Sequence, residues 1–210
     1  NTVKNLVLGA SIIGKLGGRK AFRTLSMDAF WEHSLGVGVT AKTLATRKGM
    51  PVSDREEYFV TGLLHDLGKI PLNNRFPDDY SRILRIANEK EILLIRCEEA
   101  LIGVDHGIVG AMIADRWQFS AIMKQALRHH HQPENAAPEN QELANIVALA
   151  NVFINMFEIG SSGNKIVDFD LKDRLQKECG LEDLDLSELR EIVLEEIEKA
   201  KVFLEISTKG

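Results

Sequence analysis

The chain has 210 residues, of which 44% are hydrophobic and 27% charged, as in an ordinary globular protein. The net charge of -5 at pH 7, without a long Lys/Arg run, excludes a general electrostatic attraction to nucleic acid or to an anionic membrane. No apolar run approaches the length of a transmembrane helix, and the two cysteines, Cys97 and Cys179, form no Cys-x-x-Cys unit. We therefore expect a cytoplasmic protein with two free thiols.

The amino-terminal stretch carries an apolar stripe at helical spacing. Its members are Val3, Leu6, Val7, Ala10, Ile13 and Leu16. The start shows no signal-peptide design and resembles the middle of a helix, so we expect that an upstream part of the protein is not included.

The next segments predict two long helices joined by a short turn. The first helix covers about residues 27–48 and stops at Gly49. Ser53, with Glu56 three residues later, forms a capping-box pattern that predicts the start of the second helix. The second helix is expected to end at His65-Asp66.

Gly68 is the predicted stop of that second helix, and Pro71 is expected in the loop that follows. Helical periodicity resumes over residues 78–102. Asp105 opens another helix, and Ser120 caps the one after it.

The rest of the chain is also helical in pattern. Residues 132–140 contain two prolines and predict a loop, residues 143–157 predict a buried helix, and residues 159–170 predict an exposed loop. Asp185 with Glu188 forms a second capping-box pattern, followed by an amphipathic packing helix to about residue 206. No segment has a convincing strand pattern, so the predicted class is all-α, with about 8–10 helices.

The histidines lie mostly at the ends of predicted helices, which can converge at one end of a bundle. Asp66 follows His65, and a carboxylate at a helix C-terminus is opposed by the helix dipole unless a cation lies there too. Imidazole nitrogen and carboxylate oxygen are ligands that suit zinc, iron or manganese. Taken singly, each position has a structural interpretation: a core histidine at His33, a cap beside Asp105, a solvated turn at 129–131. Taken together, they favour one shared metal site.

The order of these motifs resembles the HD superfamily of metal-dependent phosphohydrolases, and most closely its HDOD branch. The stretches that carry the resemblance are Trp31-Glu32-His33-Ser34, Gly62-Leu63-Leu64-His65-Asp66-Leu67-Gly68, Gly103-Val104-Asp105-His106, Arg128-His129-His130-His131-Gln132-Pro133 and Ile146-Val147-Ala148-Leu149-Ala150-Asn151. The resemblance spans about residues 3–157. It implies a helical bundle of the HD type, a bacterial signalling role, and an N-terminal helical lobe after which this chain starts.

The resemblance also implies the ligands of one or two divalent transition-metal ions (iron, manganese, zinc or similar). Matched motif by motif, the ligand positions are His33, His65, Asp66, His106, His130, His131 and Asn151. His129 is not chosen, because the histidine pair of the family directly precedes a polar-Pro turn, here Gln132-Pro133. Lys69 would face a phosphate oxygen, which makes Asp66 and Lys69 the expected catalytic residues.

Two departures from the family pattern affect the expected chemistry. The last ligand is an aspartate in the superfamily, and here it is Asn151, whose neutral amide cannot bridge two ions as a carboxylate does. The Gly-Tyr-Pro segment of the related HD-GYP phosphodiesterases, which cleave cyclic dinucleotides, is replaced by Gln132-Pro133-Glu134. Glu98 or Glu99 can orient a ligand, although a place on a helix surface is the simpler interpretation for both.

The leading hypothesis is therefore an HDOD-type signal-transduction module with a signalling protein as partner and a metal site that is structural, regulatory or vestigial. One alternative is a metal-dependent phosphohydrolase or phosphodiesterase acting on a nucleotide, a cyclic (di)nucleotide or another phosphorylated small molecule. In that case a metal-bound hydroxide attacks phosphorus while Lys69 balances charge. The other alternative is a structural helical scaffold without metal. We expect residues 1–160 to form the metal-binding domain and residues 161–210 a helical extension packed on the same bundle.

Overall fold

The computed structural model describes residues 24–208, and the side chains of residues 24–199. In this part of the chain there are ten α-helices and no strands, which confirms the all-α class. The helices are α1 (Met27–Arg47), α2 (Val52–Leu64), α3 (Lys69–Arg75), α4 (Pro77–Lys90), α5 (Leu94–Ile102), α6 (His106–Arg116), α7 (Ala121–His129), α8 (Gln141–Met156), α9 (Phe169–Glu178) and α10 (Leu186–Thr208). Two short 3-10 turns, Pro133–Asn135 and Pro138–Asn140, join α7 to α8. The predicted stripe from Val3 to Leu16 lies outside the described residues.

Helix α8 is the centre of the bundle and is buried along most of its length. Its buried side chains include Leu143, Ala144, Ile146, Val147, Ala148, Leu149, Ala150, Val152, Phe153 and Ile154. A helix that is apolar on every side must be surrounded by other elements, and α8 packs against α1, α2, α7 and α9. Asn151 is the polar residue among the buried side chains of this helix, and it lies at the candidate site.

Helices α1 and α2 pack against each other so closely that their backbones touch. A Cβ atom on Gly38 would lie 2.8 Å from the Phe59 carbonyl oxygen, and one on Gly62 would lie 2.8 Å from the Val37 carbonyl oxygen. Only glycine allows this approach without displacement of backbone. The contact holds the segment that carries His33 beside the end of α2.

Several predicted helix starts are confirmed by the hydrogen bonds of their caps. Asp105 Oδ1 accepts from the Ile108 amide at 2.8 Å, and Ser120 Oγ accepts from the Met123 amide at 3.3 Å. Asp185 Oδ1 accepts from the amide of Glu188 at 3.0 Å. These side chains accept hydrogen bonds from amides of the first helical turn, which have no partner within the helix.

The prediction of a capping box at Ser53 was wrong. Helix α2 begins at Val52, and its first amides bond to the Pro51 carbonyl oxygen, while Ser53 Oγ donates to Asp54 Oδ1. Glu56 accepts a hydrogen bond from Lys42 on α1 instead of turning back to the helix start. Contact with a neighbouring helix therefore overrides the local pattern.

The roles predicted for Gly68 and Pro71 also need correction. Helix α2 ends at Leu64, and residues 65–68 form turns before α3, so the stop precedes Gly68. Pro71 lies within the first turn of α3. Proline is tolerated there because a backbone N–H at that position would have no partner within the helix. Gly68 is required for space: a Cβ atom there would lie 2.0 Å from the His106 carbonyl oxygen.

The C-terminal helices share the main apolar cluster. Leu175 of α9 and Leu189, Val193 and Ile197 of α10 are buried in the same cluster as α1 and α8, so the stripe predicted for α10 faces the bundle as far as its side chains are described. The loop predicted to be exposed over residues 159–170 ends at residue 168, just before α9 begins, and it is partly buried, with Ser162 only 1% exposed. The boundary at residue 160 stays a prediction. No helix within residues 24–208 combines the length and apolarity that a membrane crossing requires.

Candidate metal centre

The residues predicted to bind metal come from five parts of the fold and meet in one place. His33 lies on α1, His65 and Asp66 follow α2, His106 is the first residue of α6, His130 and His131 follow α7, and Asn151 lies on α8. All are buried except His131, which is partly exposed. His129 lies in neither of the two clusters of metal-ligating groups found among the described residues.

One cluster surrounds a single oxygen of Asp66. Its members are Asp66, His106, His130 and His131, whose ligand atoms lie within 4.8 Å of one another. Asp66 Oδ1 is 3.2 Å from His106 Nε2 and 3.6 Å from His130 Nε2. His106 Nε2 is 3.2 Å from His130 Nε2 and 3.0 Å from His131 Nε2. Three imidazoles and one carboxylate oxygen thus point at one another.

The second cluster lies on the other oxygen of the same carboxylate. Asp66 Oδ2 is 3.2 Å from His65 Nε2 and 3.9 Å from His33 Nε2. Lys69 Nζ donates to this same oxygen at 2.8 Å. His33 Nε2 is also 3.1 Å from Asn151 Oδ1, which accepts a further hydrogen bond from Asn155 at 3.1 Å. This side therefore already contains a cation and an amide that pairs with one of the histidines.

Backbone carbonyl oxygens fix the orientation of two rings. His65 Nδ1 is 2.7 Å from the Gly62 oxygen, and His130 Nδ1 is 2.9 Å from the Leu127 oxygen. Because a carbonyl oxygen only accepts, each neutral ring must carry its proton on Nδ1 and present a lone pair at Nε2. This is the arrangement of a metal-binding histidine and the contact that orients it.

Glu98 orients the third ring, and the surface position considered for it was wrong. The side chain is fully buried, and its Oε2 accepts from His106 Nδ1 at 2.5 Å and from the His106 amide at 3.0 Å. Its Oε1 accepts from the Tyr80 hydroxyl at 2.8 Å. Glu99 does lie at the surface, where it pairs with Arg96. A signal was present in the sequence, because Glu98 is four residues after the buried Leu94 and lies on the same face of α5.

Lys69 is held entirely by the chain's own acceptors. Its ammonium is 1% exposed and donates to Asp66 Oδ2 at 2.8 Å, to the Ser162 carbonyl oxygen at 3.2 Å and to Ser162 Oγ at 3.1 Å. A lysine has three donors, so all are used. Gly160 brings this loop close, because a Cβ atom there would lie 2.3 Å from the His33 amide nitrogen. Sequence reasoning missed Ser162, for which the sequence holds no signal.

The electrostatics of the cluster separate its histidines into two kinds. Burial lowers the pKa of His33 to about 3 and that of His130 to about 4, so both rings are neutral. Burial also lowers the pKa of His106, but the Glu98 carboxylate and Asp66 together outweigh it and raise this pKa to about 9. Burial raises the pKa of Asp66, but charge interactions with His65 and Lys69 prevail and hold it well below its usual range. A metal ion bound at His106 Nε2 would displace its proton.

The residues fit a divalent ion. Asp66 Oδ1 and His65 Nε2 are both buried without a well-directed hydrogen bond, which is costly unless another partner satisfies them. Zinc–nitrogen bonds of about 2.0–2.1 Å in a tetrahedron place neighbouring ligand atoms about 3.3–3.4 Å apart. His106 Nε2 lies 3.0–3.2 Å from Asp66 Oδ1, His130 Nε2 and His131 Nε2, close to that value, and Asp66 Oδ1 lies 3.6 Å from His130 Nε2. Asp66, His106, His130 and His131 would hold the ion.

A cleft of about 390 Å³ lies beside His131. Arg96, Arg174, Glu134 and Asp168 contribute to its wall, and Arg174 Nη2 is 2.8 Å from Glu134 Oε2. The cleft reaches the site at His131, the one cluster member that is not fully buried. A smaller cavity lined by His130, His131 and Asn151 also reaches the site.

The chain belongs to the HDOD domain family, whose pattern matches residues 1–133, more than half of the sequence. A crystal structure of an HDOD domain protein with unknown function from Geobacter sulfurreducens is similar, with a TM-score of 0.71 and 25% identity over 90% of this chain and 68% of that one. The MmoQ response regulator from Methylococcus capsulatus str. Bath has a TM-score of 0.58 and 26% identity over 90% of this chain and 69% of its own.

Two further similarities are less informative about function. A proposed phosphohydrolase from Shewanella amazonensis SB2B has a TM-score of 0.67 and 22% identity over 92% of this chain and 68% of its own, which shows a common fold. An uncharacterised protein of Treponema pallidum (strain Nichols) is 27% identical over 128 residues, which is 61% of this chain. This chain spans 25% of the length of that relative.

Proposed function

We propose that this chain is an HDOD-type bacterial signalling module, built around a buried metal ion held by histidines and Asp66. The observation that carries the proposal is the cluster of Asp66, His106, His130 and His131, in which His106 Nε2 lies 3.2 Å from Asp66 Oδ1 and 3.0–3.2 Å from the Nε2 atoms of the other two rings. His130 presents a lone pair at Nε2 beside the Nε2 atoms of His106 and His131, and an ion bonded to all three would join them. A bound ion accounts for the convergence of these rings, which a scaffold without metal does not require.

The state of Lys69 favours a regulatory module over a phosphohydrolase. In the alternative function, a bound ion lowers the pKa of a water molecule and supplies a nucleophile near neutral pH. Lys69 would then bind a phosphoryl oxygen, but its three donors are used by Asp66 and Ser162. Catalysis would require the loop around Ser162 to withdraw from the site. The buried position of five of the six cluster side chains agrees with a structural or regulatory ion.

One observation keeps the phosphohydrolase as the second candidate. The cleft beside His131 contains Arg96 and Arg174, and guanidinium groups are well suited to phosphate. Its volume of about 390 Å³ suits a small phosphorylated ligand such as a nucleotide. In this function Asp66 binds the ion, while the arginines orient the substrate from the cleft.

The likeness to the MmoQ response regulator supports the signalling role, and it gives this proposal its partner class. The partner is another signalling protein in the cytoplasm, and neither nucleic acid nor membrane takes part. The net charge of -5 agrees with this choice.

Metal analysis tests the proposal directly. Protein purified without added metal is analysed by inductively coupled plasma mass spectrometry, and the chelated protein is titrated with Zn²⁺, Mn²⁺ and Fe²⁺. We expect a bound transition metal and a higher melting temperature with the ion, because an ion that binds only the folded state stabilises it. Asp66→Ala should abolish both effects, and His129→Ala should change neither. No metal and no affinity on titration would contradict the proposal.

Activity assays separate the two candidates. The metal-loaded protein is incubated with bis-p-nitrophenyl phosphate and with cyclic mono- and dinucleotides. The module predicts no turnover above that of the Asp66→Ala variant. Turnover that Asp66→Ala abolishes and His129→Ala retains would instead establish the phosphohydrolase.

A further inference from the structure

The two sides of the Asp66 carboxylate differ in a way that bears on how many ions the centre binds. Asp66 Oδ1 faces His106 and His130, at 3.2 and 3.6 Å from their Nε2 atoms, with His131 completing the cluster, and it receives no well-directed hydrogen bond. Asp66 Oδ2 receives a hydrogen bond from Lys69 at 2.8 Å. The two metal-ligating clusters that share this carboxylate are therefore not equivalent.

We propose that the centre binds one divalent ion, at Asp66 Oδ1 with His106, His130 and His131, and that the Lys69 ammonium takes the place of a second ion at Asp66 Oδ2. The inference rests on the proposed metal centre and specifies its stoichiometry and its ligands. It also removes His33, His65 and Asn151 from the set that binds the ion.

The first argument concerns charge. Once an ion has displaced the His106 proton, the buried charged groups in contact with the cluster are Asp66, Glu98 and Lys69, which sum to -1. One divalent ion brings this sum to +1, and a second would bring it to +3 in a largely buried region. Uncompensated charge in a protein interior is strongly unfavourable, so the second ion is disfavoured.

The second argument concerns Lys69 itself. Its ammonium is 1% exposed and fixed by Ser162 as well as by Asp66, so it cannot swing into solvent to make room. An ion on Oδ2 would lie beside the Lys69 ammonium, which already uses the same oxygen. Repulsion between the two would weaken binding on this side alone.

The third argument concerns the remaining ligands of the second side. His33 Nε2 is 3.1 Å from Asn151 Oδ1 but 3.9 Å from Asp66 Oδ2. The same amide oxygen accepts from Asn155 Nδ2, which orients it as an acceptor toward His33. His33 therefore donates its Nε2 proton to Asn151, and its lone pair is not directed at Asp66. Asn151 and His33 satisfy each other without an ion.

Stoichiometry is the first test. The metal-free full chain is titrated with Zn²⁺ and then dialysed, and the zinc and protein contents are measured. We expect one Zn²⁺ per chain, with a Co²⁺-substituted protein that shows the intense visible absorption of tetrahedral coordination. Two tightly bound ions per chain would overturn the inference.

Three matched substitutions test which histidines bind the ion. His131→Ala should weaken Zn²⁺ binding by more than about tenfold, since even loss of a ligand's outer partner has an effect of this size. His33→Ala and His129→Ala should keep one ion per chain and leave the Co²⁺ spectrum unchanged. Thermal unfolding with chelator present checks that each variant is folded. Loss of the ion in His33→Ala with retention in His131→Ala would overturn the inference.

A converse experiment does not depend on any loss of function. The double substitution Lys69→Gln with Asn151→Asp removes the internal cation and supplies a carboxylate on the second side. We expect the stoichiometry to rise from one Zn²⁺ to two, while Asn151→Asp alone stays near one because Lys69 remains. A double variant that still binds one ion would contradict the role given to Lys69. Absence of any ion in the unmodified chain would instead contradict the metal centre itself.

Discussion

The buried centre and helix α10 are held in the bundle by different means. At the centre, backbones touch: Gly68 lies against His106, and Glu98 is enclosed by two residues that donate to it. Helix α10 instead packs through the apolar stripe of Leu189, Val193 and Ile197, with an ion pair at the rim. Close backbone contacts limit the substitutions that the centre tolerates. The packing of α10 instead depends on the amount of apolar surface that it buries. Substitutions at the centre should therefore have larger and more specific effects.

Gly68→Ala should give the largest effect. The added Cβ atom would meet the His106 carbonyl oxygen at 2.0 Å and the Gly110 amide nitrogen at 2.7 Å, so α3 and α6 must separate. We expect a loss of about 3 kcal/mol or more in the free energy of unfolding, measured by urea denaturation with chelator present. Gly103→Ala is the control, because its φ of 72° is strained but nothing lies within 4 Å of the new atom. The control should lose about 1 kcal/mol, and equal losses would contradict the close-contact argument.

Glu98→Gln should have the next largest effect, and a specific one. The amide keeps the shape and the hydrogen bonds of the side chain but removes the charge that faces His106 Nδ1. We expect Zn²⁺ affinity to fall by about 10–100-fold, measured by competition with a chromophoric chelator, with little change in the metal-free fold. Glu99→Gln, one residue away on the surface, should leave the affinity unchanged. An equal loss in both variants would show that Glu98 does not orient His106.

Val193→Ala tests the other region. Val193 of α10 is fully buried, and the substitution removes two methyl groups from the apolar cluster. We expect the free energy of unfolding to fall by about 1.5 kcal/mol, with Zn²⁺ affinity unchanged. The adjacent Leu194, 37% exposed, provides the control, since Leu194→Ala should cost less than half as much. A change in metal affinity would show that the two regions are coupled.

The ion pair between Arg47 and Glu188 should contribute least. Arg47 Nη2 lies 2.7 Å from Glu188 Oε2, but both side chains are at least one-third exposed. Exposed pairs contribute about 0.2–1 kcal/mol, so a double-mutant cycle with Arg47→Ala and Glu188→Ala should give a coupling energy in this range. The coupling should disappear at high salt. A coupling above 2 kcal/mol would remove the contrast between the two regions.

The helical class and most residues of the candidate site could be predicted from the sequence, because helix ends carry recognisable signals. His33, His65, Asp66, His106, His130 and His131 were grouped in advance, and the structure places their ring nitrogens and carboxylate oxygens side by side. Which of them bind a metal stays a prediction. Glu98 and Glu99 were both predicted to lie on a helix surface. The structure places Glu98 on the buried face of α5.

Other features depend on contacts that no local pattern encodes. Ser162 meets Lys69 across 93 residues of chain, and one of its two contacts uses a backbone carbonyl that every residue possesses. The capping pattern at Ser53 failed because Glu56 pairs with Lys42 on a neighbouring helix. Gly68 likewise leaves room for the carbonyl oxygen of His106, a residue far along the chain.

The contact between Gly38 and Gly62 fixes the spacing of two helices that carry residues of the centre. His33 lies five residues before one glycine and His65 three residues after the other, so the two crossing backbones set the spacing of these rings. A Gly62→Ala substitution inserts one methyl group as a spacer between the helices and widens the gap beside Asp66. The geometry of the side of Asp66 that Lys69 occupies can therefore be adjusted from a helix contact remote from the three imidazoles proposed to bind the ion.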